Sequence, residues 1–215
     1  MPTTNLTFAC AVESLHKAQK LALPGSAAWV TMTPEFRKNA EQADCRNWRE
    51  AAVLVLVYPD ADQPRFILIE RPGGSSVHAG QMALPGGARE TGESFEQCAI
   101  RETAEELGII TTGIELVLAL SPLYIPPSCF LVRPFVGCIA KRPPFKPAAA
   151  EVVDFIEPAL TDILDPDNQA EDWIDPAGRP RRIPYYRLCG RRVWGATAMM
   201  LCELAVLLHI TTTLD

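Results

Sequence analysis

The spacing of apolar positions along the chain predicts an ordered series of short elements. In residues 7–21, Phe8, Val12, Leu15 and Leu21 recur at roughly helical spacing before Pro24 and Gly25, which predicts an amphipathic helix. A polar stretch from Thr31 to Glu50 follows. AAVLVLVYP (51–59) is an apolar, β-branched run that ends at a Pro-Asp turn, and RFILIERPGG (65–74) is a second. Two neighbouring strands joined through Asp60–Pro64 are predicted, the first buried on both faces. Between Pro72 and Gly92 the chain is rich in glycine and proline with few periodic apolar residues, the composition of a long loop system, and loops of that length are usually functional. ESFEQCAIRETAEELGI (93–109) then carries helix punctuation at both ends: Ser94 and Gln97 fit a capping box, and Gly108 stands where a left-handed C-terminal residue is wanted. Residues 114–125 and 129–140 read as strands around the Pro126-Pro127 break. Residues 150–164 begin extended and become a short helix, RIPYYRLCGRRVWG (182–195) suggests a hairpin, and 196–210 form a closing helix. That last helix is apolar almost all round, which implies burial in the core or against a second subunit; a homodimer is the expectation, since two-fold pairs are the commonest oligomers.

Strands and helices interleave without a regular βαβ repeat, internal repeat or linker. One mixed α/β unit over 1–215 is therefore expected, with an N-terminal helical extension (about 1–50) and a C-terminal helix (about 195–210). At 215 residues, 48% hydrophobic and 21% charged, the chain has the balance of an ordinary globular protein and not of a disordered one. Its net charge of −6 argues against coating nucleic acid or an anionic membrane. Six arginines between Arg179 and Arg192 are interleaved with aromatic residues, a pattern found in nucleic-acid binders. Alternation across a hairpin accounts for it better, with Arg outward and Tyr and Val inward, so no nucleic-acid partner is expected. Seven cysteines without a C-x-x-C pair suggest reduced thiols and neither a disulfide framework nor a zinc site. The first residues lack a basic start followed by an apolar run, and the longest apolar segment, Val193–Ile210, is interrupted by Glu203 and His209. A cytoplasmic protein with no membrane segment is expected.

The chemistry lies in where the acids fall. Glu102, Glu105 and Glu106 occupy i, i+3 and i+4 of one predicted helix and share a face, where like charges repel. With Glu93 just upstream they call for a compensating cation, and hard oxygen ligands select Mg²⁺ or Mn²⁺. Arg101 supplies one positive charge beside them and is read as orienting an acid. A solvated acidic face is the bland alternative; the glycine-rich loop feeding directly into the helix argues against it.

Gly87, Glu93, and Arg101-Glu102-x-x-Glu105-Glu106-x-Gly108-Ile109, at these spacings, resemble the Nudix box of hydrolases that cleave nucleoside diphosphates linked to another moiety. Thr103 departs from it, standing where the box has an aliphatic residue. VHAGQMALPGG (77–87) and LIER (68–71) resemble the upstream element of the coenzyme A pyrophosphatase branch, with Leu84 in place of the usual Phe and without the second arginine of that branch's signature. PGSAAWVTMTP (24–34), LYIPPSCFLVRPFVG (123–137), EVV (151–153) and VWGATAMMLCEL (193–204) look like the same branch. The resemblance implies an α/β/α sandwich around a mixed sheet, dimers being common in the family. It also implies a divalent ion, Mg²⁺ or Mn²⁺, held by Glu102 and Glu106, completed by Glu105 and the Gly87 carbonyl. Water then attacks one phosphorus. The general base comes either from the box, where Glu105 is the candidate, or from a downstream acid, where Glu151 precedes Asp154. Arg71 and Arg89 flank the glycine loop as candidate phosphate partners. His78 is read as a loop-stapling residue. The substrate implied is a small nucleoside-diphosphate compound, coenzyme A or its thioesters, giving 3′,5′-ADP and a phosphopantetheine product. ADP-ribose, a dinucleotide or a nucleoside triphosphate are the alternatives within the same chemistry, and a nucleotide-sensing domain without catalysis is the alternative outside it.

Overall fold

A computed structural model describes residues 6–37, 48–73, 80–174 and 180–212. Its centre is strand β1 (Arg49–Asp60), which is buried on both faces as expected. Because side chains alternate across a strand, Val53, Val55 and Val57 join one core with Leu15, Leu201 and Leu204, while Leu54, Leu56 and Tyr58 join another with Cys98, Ala99 and Leu107. β1 runs parallel to β8 (Phe130–Cys138) and antiparallel to β2 (Gln63–Phe66) and β5 (Gly86–Ala88). β8 also pairs antiparallel with β6 (Glu115–Ala119) and β7 (Leu123–Ile125), so the sheet is mixed. Helix α3 (Phe95–Leu107) packs on one face; α1 (Phe8–Ala18), α2 (Ser26–Trp29) and α4 (Gly195–Thr212) pack on the other. The result is the expected α/β/α sandwich.

Three segments depart from the expected boundaries. The run at 65–74 is two strands: β2 stays on β1, whereas β3 (Leu68–Glu70) leaves at Ile67 to pair with β4 (Met82–Ala83) and β9 (Asp154–Ile156) in a second sheet. Phe66, Ile67, Leu68 and Ile69 are all fully buried, so no change of pattern marks the exchange. β4 and β5 both fall within the segment read as loop, held by backbone pairing that side-chain patterning does not report. The run 114–125 is likewise interrupted, with the Leu120 N–H donating to the Pro134 carbonyl at 2.9 Å between β6 and β7.

The predicted hairpin is present as β11 (Arg181–Leu188) and β12 (Arg191–Trp194), turned by Cys189 and Gly190 at positive φ. An unpredicted strand, β10 (Gln169–Ile174), completes a three-stranded sheet; its polar sequence, with Trp173 exposed, carries no apolar alternation to betray it. Tyr186 points inward, but Tyr185 carries the Arg192 guanidinium on its ring face at 4.5 Å. Three of the arginines here pair with local acids, and Arg187 donates to the Asp167 carbonyl. Arg182 pairs with Glu171, Arg192 with Asp172, and Arg191 bridges Glu70 and Asp154 at 3.2 and 2.5 Å. That distribution supports the structural account of the basic cluster; Arg179 lies outside the described residues.

α4 has a mean hydropathy of 1.5, long and apolar enough by composition to cross a membrane, yet 61% of it is buried in the fold. Packing against α1, α2, β11 and β12 uses its apolar faces, so no second subunit is needed to explain them. Glu203, fully buried within it, accepts from the Gly25 N–H at 3.2 Å, the Trp29 Nε1–H at 3.2 Å, and the Ser121 N–H and Oγ–H at 3.2 and 2.6 Å. It ties α2 and the β6–β7 connection to α4.

Candidate active site

α3 carries the acids, and its ends are fixed as the sequence predicts. The Ser94 side chain accepts from the Gln97 N–H, the Gln97 side chain accepts from the Ser94 N–H, and Gly108 closes the helix at φ 59°. Beneath the helix Thr103 is fully buried and donates to the Ala99 carbonyl at 2.7 Å, which satisfies the hydroxyl that replaces an aliphatic contact. β5 lies alongside, and its glycines allow a close approach: a Cβ at Gly87 would collide with the Glu102 carboxyl. One turn away, Glu106 is 5% exposed and accepts from the Gly86 N–H at 2.7 Å, while the Gly86 carbonyl accepts from Arg71 Nη2 at 2.9 Å.

The guanidinium of Arg101 is shared among three acids. It donates to Glu93 at 2.8 and 3.1 Å, to Glu102 at 2.9 Å and to Glu105 at 3.0 Å, and also to the Ala88 carbonyl at 3.2 Å. This partner holds the Glu93 carboxyl down at about 2. Glu102 is different: burial pushes its carboxyl up, and Glu105 and Glu151 push in the same direction. Glu106 is pushed up to about 7, first by burial and then by Glu102 and Glu151, against the opposing Gly86 N–H and Arg71. The structure therefore brings Glu151, at an exposed turn after Ala148, within electrostatic reach of both acids. Asp154 points to different work, paired with Arg191 and accepting from the Phe155 N–H.

Among the described residues no three Asp, Glu, His or Cys side chains converge as a finished metal cage. The donor set nonetheless suits a hard cation. Carboxyl oxygens of Glu102 and Glu106 crowd against the Gly86–Gly87 backbone, and with Glu93, Glu105 and Glu151 nearby the acids outnumber the two arginines, Arg101 and Arg71, that act on them. Glu105 is the loosest member, its side chain 55% exposed.

The two loop arginines separate. Arg71 borders a cavity of about 400 Å³ on the far side of Gly86 and Gly87. Arg89 is engaged elsewhere: it pairs with Glu50, donates to the Glu93 carbonyl and lies over the Phe95 ring at 5.0 Å. His78 lies outside the described residues. The cavity and the Gly86 peptide that joins it to Glu106 are features the sequence reading missed; the consecutive glycines of PGG were the available signal.

The raised Glu106 carboxyl has a measurable effect on stability. Without divalent ions, its favourable contribution is intact below the ordinary carboxyl value of 4.5 and is lost as pH rises through about 7. The loss amounts to a ceiling on the order of 3 kcal/mol. Melting of the ion-free protein should fall between pH 5 and 8, and the fall should be much reduced in Glu106→Gln; equal slopes would contradict the assignment.

Residues 48–177 match the family model of the NUDIX domain. The chain is 33% identical over 161 residues to the uncharacterized Nudix hydrolase NudL of Pectobacterium atrosepticum, covering 74% of this chain and 82% of that protein. It is 34% identical to NudL of Salmonella paratyphi B, with coverage of 74% and 83%. In structure it resembles the Nudix hydrolase RenU of M. smegmatis, with a TM-score of 0.51, 17% identity, and coverage of 77% of this chain and 87% of that one. That last likeness supports the fold.

Proposed function

The chain belongs to the Nudix family and is a pyrophosphohydrolase of nucleoside-diphosphate-linked compounds; from that premise we propose that its substrate is coenzyme A or an acyl-coenzyme A, cut to 3′,5′-ADP and a 4′-phosphopantetheine product. The observation that carries the reading is the packing of Glu102 and Glu106 against Gly86–Gly87 at the edge of a largely apolar cavity. A diphosphate at that edge would reach the acids on one side and lay an uncharged arm into the cavity on the other.

Glu102 and Glu106 would hold Mg²⁺ or Mn²⁺, with Glu105 and the Gly87 carbonyl completing the oxygen set. The ion's contribution is to stabilise charge developing on the non-bridging phosphate oxygens. Arg101 acts as a positioning residue, since its hydrogen bonds fix Glu102 and Glu105. Arg71, beside the cavity and bonded to the Gly86 carbonyl, is the better-placed phosphate partner. Arg89 would serve the phosphates only by giving up Glu50. Glu151 receives the proton as water attacks one phosphorus. A phosphorus–oxygen bond forms to water, the bridging bond breaks, and the departing phosphate carries the electron pair.

Incubation with Mg²⁺ or Mn²⁺ and separate samples of coenzyme A, ADP-ribose, a dinucleotide and a nucleoside triphosphate, followed by product masses, tests this. The masses of 3′,5′-ADP and phosphopantetheine are expected from coenzyme A. Intact coenzyme A beside cleaved ADP-ribose would overturn the substrate and leave the reaction class standing.

A further inference from the structure

The turn that carries Glu151 is held at both ends. At its start the Ala148 N–H donates to the Glu106 carbonyl at 2.9 Å, which ties it to α3, and the Glu151 and Val152 N–H groups both donate back to the Ala148 carbonyl at 2.9 Å. Val152 is buried in the core beneath α3. At the far end the Val153 N–H donates to the Glu70 carbonyl at 3.0 Å, and the chain continues as β9. Where Glu151 sits relative to Glu102 and Glu106 therefore depends on β9 staying on β3.

That attachment is weak by itself. β9 has three residues and lies at the edge of its sheet, paired with β3. In the antiparallel register Leu68 faces Ile156, Ile69 faces Phe155 and Glu70 faces Asp154. The last pair, nearest Glu151, sets two carboxylates directly opposite each other, an arrangement that pushes strands apart. Arg191 answers it. Its Nη2 stands 3.2 Å from Glu70 Oε2 and 2.5 Å from Asp154 Oδ2, so one guanidinium spans the repelling pair. Arg191 opens β12 directly after the Cys189-Gly190 turn, so the tip of the hairpin delivers this cation from beyond the residues 48–177 that match the family model. Its side chain is 43% exposed, and ion pairs open to water add little stability. Holding a strand in place is the work left to it.

We propose that Arg191 is a positioning residue for the reaction: by bridging Glu70 and Asp154 it clamps β9 to β3 and holds Glu151 where it can take the proton of the attacking water. The proposal rests on the reading of Glu151 as general base and names what places it. A positioned base contributes about 10²–10⁴-fold, and loosening the clamp forfeits part of that, about tenfold in kcat. KM stays near the wild-type value, because Arg71 follows β3, whose Leu68 and Ile69 are fully buried.

The test compares Arg191→Met, Arg191→Lys, Glu151→Gln, and Arg191→Met combined with either Glu151→Gln or Asp154→Asn, with Mg²⁺ and coenzyme A, or ADP-ribose if that is the compound cleaved. Arg191→Met should lose about tenfold in kcat at a melting temperature near that of wild type. Arg191→Lys keeps the charge without the fork and should recover part of the loss. Adding Asp154→Asn to Arg191→Met should also recover activity, since the repulsion is gone; lost packing alone is not repaired by neutralising a carboxylate. In the Glu151→Gln background Arg191→Met should cost nothing further, because its effect runs through Glu151. Amide exchange at Val153, faster in Arg191→Met than in wild type, reads the clamp without turnover. Unchanged Val153 exchange, a full further loss on top of Glu151→Gln, or no recovery with Asp154→Asn would overturn the clamp. Glu151→Gln turning over like wild type would remove the base and with it this role for Arg191. A slow Glu151→Gln beside an unimpaired Arg191→Met would remove the role of Arg191 alone.

Discussion

Replacing Glu102 by Gln is expected to lower kcat on the order of 10²–10³-fold or more, the scale on which loss of one charge-stabilising group acts at a reacting centre. The substitution keeps the side chain's shape and an oxygen that accepts from Arg101 Nη1, now at 2.9 Å, so the helix has no reason to unfold. It removes one negative charge from a site where Glu102 is pushed up by burial, Glu105 and Glu151, and melting temperature should hold or rise. Activity and stability therefore move independently, which separates a site residue from a structural one. The matching change at Glu105 should cost less, because that carboxyl is mostly in solvent and reaches the site through Arg101. Near wild-type turnover in Glu102→Gln, with Mg²⁺ at saturation, would remove the proposed ion site and the mechanism built on it.

Local chemistry was legible in the sequence; long-range partnership was not. The bounds of α3 follow from Ser94, Gln97 and Gly108, whose effects reach only three or four residues along the chain. The shared acidic face follows from helical spacing alone. By contrast, Ile67 marks a strand changing sheets, and nothing in an unbroken apolar run distinguishes that from one strand continuing. Arg71 and Arg89 look alike in the sequence. They differ because Glu50, 39 residues earlier, claims Arg89, while Arg71 turns to the Gly86 peptide beside the cavity. The cavity itself is assembled from residues 34–37, 49–53, 125–132 and 194–200, and no local pattern ties those segments together.

Glu203 is the other residue whose role depends on distant partners, and Glu203→Ala is expected to cost about 3–5 kcal/mol, the range seen when buried polar partners are stranded. At roughly 2–4 °C per kcal/mol for a chain of this size, the melting temperature should drop by about 10 °C. The two carboxylate oxygens meet different donors. Oε1 accepts from the Gly25 N–H and the Ser121 hydroxyl; Oε2 accepts from the Trp29 Nε1–H and the Ser121 N–H. Alanine takes the acceptor from all of these donors, the Trp29 Nε1–H at a buried position and those of Gly25 and Ser121 at partly buried ones. Glutamine is milder. With its amide nitrogen at the Oε1 position the Ser121 hydroxyl can rotate to accept, and only the Gly25 N–H faces another donor; the opposite orientation sets two N–H groups against it. Glu203→Gln should thus lose about 1–3 kcal/mol, between alanine and wild type. The ordering wild type, Gln, Ala in thermal melts checks the geometry, and Gln and Ala melting together near wild type would show that the clasp contributes nothing. Because α4 begins at the cavity wall and Glu203 anchors it to α2, loss of the clasp should also loosen the part of that wall formed by Trp194, Ala196 and Met200.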